Sequence, residues 1–169
     1  MSAAEHLLDG LGIKHVVVEH PPIFTIAEGI DAGVVAQLGV PVEHLVKCLL
    51  LRNTHDDLFL AVAAGEGRVD LKAVARCVGS TRLSFANAET MHATLGSEPG
   101  SASLFDLYDN DHASDVRVII DERIPGFEGD IGFHDGGNTR TLLFAAASLP
   151  RVAEAIDSLC RFLPLRAVQ

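Results

Sequence analysis

Apolar residues recur along this chain with two periods, one near 3.6 and one near 2, and each change of period marks a new element. Residues 3–9 have helical spacing and stop at Gly10 or Gly12, and His15–Glu19 reads as a strand halted by Pro21-Pro22. Thr25-Ile26-Ala27-Glu28 has the order of a capping box. The helix it opens carries Ile30, Val34, Val35 and Leu38 on one face and ends near Gly39. Leu45–Arg52 and Leu58–Ala63 are strands joined by the polar stretch Asn53–Asp57, a hairpin pattern. Asp70 caps a helix through Val78, Arg82–Phe85 is a short strand, and Asn87 caps a helix to Leu95 that Gly96 ends. Val116–Asp121, Ile131–His134 and Thr139–Phe144 are later strands, the last two joined across Gly136-Gly137. Ser148 starts a final helix with Val152, Ala155, Ile156, Leu159 and Phe162 inward. Short turns between strands favour antiparallel pairing. The expected fold is α+β: one domain over residues 1–169, with a mixed, mostly antiparallel, barrel-like sheet flanked by helices.

Composition narrows the function more than the fold. The 169 residues are 48% hydrophobic, enough for a sizeable core. No apolar run reaches the 18 residues a membrane helix needs, and Met1–Gly10 lacks a basic segment followed by an apolar one, so the chain reads as cytoplasmic with no membrane partner. Cys48, Cys77 and Cys160 are scattered, which suits neither a disulfide framework nor a zinc site. Cys77 and Cys160 fall in apolar helical patterns and read as buried bystanders. A net charge of −10 with no Lys/Arg run disfavours a protein that grips a long phosphate backbone, and so specific DNA as a partner. No GxSxG elbow, P-loop, HExxH or dinucleotide fingerprint is present, and neither a metal nor a cofactor is expected. The acidic pairs Asp121-Glu122 and Asp109/Asp111 read as loop solvation at strand ends.

The pattern breaks in three places. Lys47 interrupts the apolar run Leu45–Leu51. A lysine there is either a fixed positive charge aimed at developing negative charge or an edge-strand lysine that snorkels to water, and position alone weighs the two evenly. Gly96-Ser97-Glu98-Pro99-Gly100 could turn successive N–H groups toward an oxyanion or carbonyl, although taken alone the segment reads first as a helix stop followed by a turn. Phe133-His134-Asp135-Gly136-Gly137-Asn138-Thr139-Arg140-Thr141 gathers His134, Asn138 and Thr141 at one end of a hairpin. That arrangement suits a small polar ligand, or a turn that needs these residues for its backbone alone.

Taken in order, Lys47 in the first hairpin, "VDLKAVAR", "RLSFANAE", "GSEPGSASLFDL", "VRVIIDE" and "FHDGGNTRT" resemble the YbaK/ProX superfamily of aminoacyl-tRNA deacylases and the editing domain inserted in bacterial prolyl-tRNA synthetases. The resemblance spans about residues 13–163. It implies a trans-editing hydrolase that cleaves the ester between a wrong amino acid and the terminal adenosine of a tRNA. It maps the family's essential lysine onto Lys47, its glycine-proline loop onto Gly96, Ser97, Pro99 and Gly100, and its pocket histidine onto His134, with Asn138 and Thr141 beside it. "HPPIFT", His20 to Thr25, resembles the segment that borders the family's pocket. Implied partners are the acceptor end of a mischarged tRNA and, optionally, a synthetase that delivers it. Two departures bear on the substrate: Cys48 stands where the alanine-editing branch has asparagine, and Asp135 makes the family's "FHP" read "FHD". The hairpin is closer to the alanine-editing branch than to the cysteine-editing one, which points to alanyl-tRNA(Pro) first, with serine, threonine or cysteine behind it. Rival readings are a non-catalytic module that binds aminoacyl-tRNA or nucleic acid, and an unrelated small-molecule esterase.

Overall fold

In the computed structural model, which describes residues 1–165, two sheets meet along one seam and helices cover their outer faces. Helix α1 (Ala3–Gly10) begins with a full capping box in which Ser2 and Glu5 exchange backbone-to-side-chain hydrogen bonds. Strand β1 (His15–Glu19) pairs antiparallel with β7 (Arg140–Ala145), which pairs antiparallel with β6 (Asp130–His134). The second sheet is built on the hairpin of β2 (Val46–Arg52) and β3 (Leu58–Ala64). On one side β2 pairs with β4 (Ser84–Phe85). On the other, β3 pairs in parallel with β5 (Arg117–Asp121), which pairs in parallel with β8 (Arg161–Leu163). The expected α+β class with mixed pairing is what the chain adopts. The expected barrel is not: the two sheets stay open and are linked by an isolated parallel bridge between Leu45 and Gly132.

Strand alternation sorts the side chains into three packed layers. Val46, Cys48 and Leu50 of β2, with Leu60, Val62, Val118 and Ile120, face the first sheet's Ile131, Phe133, Leu142 and Phe144 in the main core. Phe133 and Phe144 stack there at 5.6 Å with their planes 8° apart, and Phe105 meets both rings edge-on. The opposite face of the second sheet, including Leu51, Ala61, Ala63 and Ile119, is covered by Val74 and Ala75 of α4 (Leu71–Val78). On the far face of the first sheet, Leu143 packs with Leu45 against Ile23, Val34, Val35 and Leu38.

That last layer departs from expectation. The helix predicted from Thr25 to Gly39 is two: α2 (Ile26–Asp31) and α3 (Val34–Leu38). Gly33 separates them at φ +76°, a conformation glycine adopts without the Cβ penalty of other residues, and its N–H closes α2 onto the Ile30 carbonyl. The last helix, α6 (Leu149–Ile156), is also shorter than predicted. Ser148 makes no side-chain cap, Ala153 rather than Ala155 faces the core, and Leu159 is exposed. The reason is Asp157, a buried carboxylate that accepts from the Val118 and Leu159 N–H groups and from Arg117, turning the chain so that Phe162 enters β8. Cys77 is exposed and Cys160 half-buried, so neither is the buried bystander expected. Asp121 is fully buried, clasped by Arg123, and is not loop solvation. Among the described residues no helix is long and apolar enough to cross a membrane.

Gly132 lets the sheets touch. A Cβ at this position would lie 3.1 Å from Leu45 Cδ2, 3.1 Å from Thr141 Cγ2 and 3.2 Å from Leu143 Cδ2. Gly132→Ala is therefore expected to overpack the seam and destabilise the fold by about 1–3 kcal/mol. In thermal denaturation this should lower the melting temperature by roughly 2–10 °C. An unchanged melting temperature would contradict this account of the seam.

Candidate active site

Beside the Leu45–Gly132 bridge, between the two sheets, lies a cavity of about 460 Å³, a volume within the range of small-ligand pockets. Its β2 wall carries Leu45 to Leu49, its β6 and β7 wall carries Gly132, Phe133, His134 and Thr141, and α2 and α3 roof it with Ile23 to Ala27, Val35 and Leu38. Period-two alternation explains the choice: Gly132, His134, Thr141 and Leu143 share the face of the first sheet that looks toward those helices.

Of the residues singled out from the sequence, Thr25, Lys47, Gly100, His134 and Thr141 line this one cavity. Lys47 is half-buried and donates to the Gly67 carbonyl at 2.6 Å, in the glycine-flanked loop whose Glu66 stands at the cavity edge. Thr25 caps α2 by accepting the Glu28 N–H at 3.1 Å. The Glu28 carboxylate reaches back to the N–H of Phe24 at 3.0 Å. Gly100 sits at φ +88°, and a Cβ there would come 3.0 Å from the Phe24 carbonyl. Glycine is thus required by its backbone angle and also by the close approach that brings its loop against the Phe24–Thr25 corner.

The other predicted residues do not line the cavity. Gly96 ends α5 (Ala88–Leu95) with its N–H on the His92 carbonyl, Pro99 is exposed, and the buried Ser97 hydroxyl lies near the Asp106 carboxylate. Asn138 lies in the β6–β7 turn. Its backbone carbonyl accepts the Ile23 N–H, while the neighbouring Thr139 carbonyl accepts that of His20, so the turn clasps the "HPPIFT" segment over the cavity.

His20 itself was not among the sequence's candidates. It is 8% exposed, with Nδ1 2.8 Å from the Pro21 carbonyl and Nε2 2.8 Å from Thr141 Oγ1. A histidine followed by two prolines at a strand end was the available signal. Thr141 is the cross-strand partner of His134. Burial, and then the neighbouring His20, hold His134 below its ordinary imidazole value, so it is neutral at pH 7. Its Nδ1 is buried without a hydrogen-bond partner among the described residues.

A second tier of charge sits under the cavity. Asp135, the departure in "FHD", is buried and paired with Arg140 at 3.3 Å, which also reaches Glu5 at 3.2 Å, and the Ser2 hydroxyl donates to Asp135. Cys48 is fully buried, and desolvation pushes its thiol well above its ordinary value, so it is an inert wall rather than a nucleophile.

Residues 20–152 match the sequence model of the Aminoacyl-tRNA editing domain family. The chain belongs to that family. As an aminoacyl-tRNA editing domain it is a deacylase, an ester hydrolase. The chain is 29% identical over 150 residues to the prolyl-tRNA editing protein ProX of Acetoanaerobium sticklandii, an alignment covering 88% of this chain and 87% of that one. The same fold, at 20% identity and a TM-score of 0.73, occurs in the crystal structure of a candidate trans-editing enzyme for prolyl tRNA synthetase, over 98% of this chain and 96% of that one. It also occurs in hypothetical protein APE2540, at 17% identity and a TM-score of 0.75 over 95% and 97%. The editing domain's matched span begins at His20 and includes every cavity residue named above.

Asp106 makes the tier beneath the cavity testable. Burial raises its carboxyl to about 6, against the Ser103 N–H and the Ser97 hydroxyl, which lower it, and with Asp135 adding to the rise. The folded chain therefore holds this proton more tightly than the unfolded one. The stability it contributes is full below about pH 4 and is lost as pH rises through about 6, by up to about 3 kcal/mol. Asp106→Asn keeps an acceptor for the Ser103 N–H and has no proton to lose. Urea unfolding at pH 4, 5, 6 and 7 should show the variant gaining on wild type as pH rises. A gap that is constant over that range would contradict the assignment.

Proposed function

We propose that this editing domain acts in trans and cleaves the ester of a mischarged aminoacyl-tRNA carrying a small amino acid, with alanyl-tRNA(Pro) the preferred substrate. The observation that carries the reading is the composition of the cavity. Ile23, Val35, Leu38, Leu45 and Phe133 make its walls apolar, and the polar groups at those walls are few: Thr25, Lys47, Glu66, the Gly100 backbone, His134 and Thr141. Apolar walls with few polar groups suit a small, uncharged side chain such as that of alanine. That is what a second sieve requires, because a synthetase's own pocket rejects a slightly smaller amino acid only weakly. The buried, protonated Cys48 adds an apolar patch where the alanine-editing branch has asparagine.

Hydrolysis needs water to attack the ester carbonyl and a group to hold the tetrahedral oxyanion. Lys47 supplies a positive charge fixed by its bond to Gly67 and placed beside the ester or terminal phosphate. The Gly100 backbone lies on the same cavity wall, where its N–H can meet the carbonyl oxygen. By family resemblance, the ribose hydroxyl of the tRNA activates the water. Neutral His134 and Thr141 bind the amino-acid end. The acidic surface, with a net charge of −10, fits a protein that meets its tRNA locally at the acceptor end. Phe24, 56% exposed on the cavity rim, offers a face on which the terminal base can stack.

Two outcomes test the reading. Lys47→Ala should remain folded and lose 10²- to 10³-fold in deacylation rate, the effect of removing one oxyanion-stabilising donor, about 2.7–4 kcal/mol. Near-wild-type hydrolysis by the folded variant would refute the lysine's role. On a matrix of labelled aminoacyl-tRNAs, alanyl-tRNA(Pro) should be cleaved fastest, with seryl-, threonyl- and cysteinyl-tRNA behind it. If prolyl-tRNA(Pro) or a bulky aminoacyl-tRNA led, the size sieve would be wrong.

A further inference from the structure

We infer that Thr141 recognises the α-ammonium group of the substrate and that His20 is the positioning residue that enables it to do so. The inference rests on the aminoacyl-ester reading above and names the substrate atom that the β6–β7 wall holds.

Hydrogen-bond accounting fixes the direction. His20 Nδ1 lies 2.8 Å from the Pro21 carbonyl, which can only accept, so Nδ1 carries the hydrogen. In the neutral imidazole, Nε2 is then a bare acceptor. With His20 in that form, the Thr141 hydroxyl, 2.8 Å away, donates to it. A hydroxyl has one hydrogen, and here it is committed to His20. What Thr141 offers the cavity it lines is therefore a pair of acceptor lone pairs and no donor. His20 is locked in place by its own N–H on the Thr139 carbonyl, by burial, and by the two prolines that follow.

An acceptor-only oxygen suits a cationic donor. Beside it, His134 is held neutral and adds no competing positive charge. Lys47 puts its cation on the other sheet, on the β2 wall. An aminoacyl ester in this cavity is therefore oriented by charge: its ammonium group turns to Thr141 and away from Lys47, and its ester turns to Lys47. The Glu66 carboxylate, which also lines the cavity, is exposed at its edge, where water screens it.

The test compares alanyl-tRNA(Pro) with lactyl-tRNA(Pro), made from it by nitrous acid deamination, which puts a hydroxyl in place of the ammonium group. Each enzymatic rate is divided by the spontaneous hydrolysis rate of the same ester. Wild type and Thr141→Ser, which keeps the hydroxyl, should prefer the alanyl ester by at least tenfold. Thr141→Val, which keeps the shape, and His20→Leu, which frees the hydroxyl hydrogen to turn into the cavity, should fall to within about twofold of parity. That fall should come chiefly from the alanyl ester. A Thr141→Val enzyme that keeps the preference, or that slows equally on both esters, would overturn the inference. So would loss of the preference in Glu66→Gln with Thr141→Val unaffected. If wild type cleaves no aminoacyl-tRNA at all, the functional reading fails and this inference fails with it. If wild type cleaves alanyl-tRNA and only the Thr141 pattern fails, the functional reading stands.

Discussion

The structure depends on the contact between Leu45 and Gly132. Two open sheets approach closely enough there for one bridge, and a side chain at Gly132 would crowd Leu45, Thr141 and Leu143. Past that point a gap lies between them. The gap could have been filled by core side chains, and on the inner side it is, by Phe133, Phe144 and Phe105. On the outer side α2 and α3 roof it without filling it, and the cavity remains. Lys47 and His134 each lie two residues beyond the bridge, one on each sheet, so the seam places the charged wall and the neutral wall of the cavity together.

Charge is segregated around that gap. Lys47 is tied to a backbone carbonyl, while Asp135, Arg140, Glu5 and Ser2 form a paired cluster beneath the hairpin. Burying charge is costly unless it is paired, and the pairing here joins α1 to the β6–β7 turn. The same turn holds His20 and Ile23 by backbone bonds from Thr139 and Asn138. Asn138 and Asp135 therefore support the cavity from behind, through the segments they clasp.

Much of this was legible in the sequence because the signals were local. The capping residues Asp70, Asn87 and Thr25, the β2–β3 hairpin and the strand periodicity all follow from nearest neighbours, and Lys47 stood out as a charge within an apolar run. What escaped depended on distant partners. The break at Gly33 was missed because the sequence does not show which turn must bend to roof the cavity. The early end of α6 depends on Asp157 meeting the Val118 N–H, 39 residues away in sequence. Barrel closure could not be judged from the strands alone. The role of His20 depends on Thr141, 121 residues distant, and within "HPPIFT" the prolines masked the histidine.

The central claim is that the gap between the sheets is where the aminoacyl end of the substrate binds. The most direct measurement is an amide chemical-shift titration with 3′-alanylamino-3′-deoxyadenosine, whose amide cannot be cleaved as an ester. The largest perturbations should cluster on Thr25, Lys47, Gly100, His134 and Thr141. Perturbations centred instead on the shallow groove beside Lys14, His15 and Asp130, or none at saturating ligand, would contradict the account.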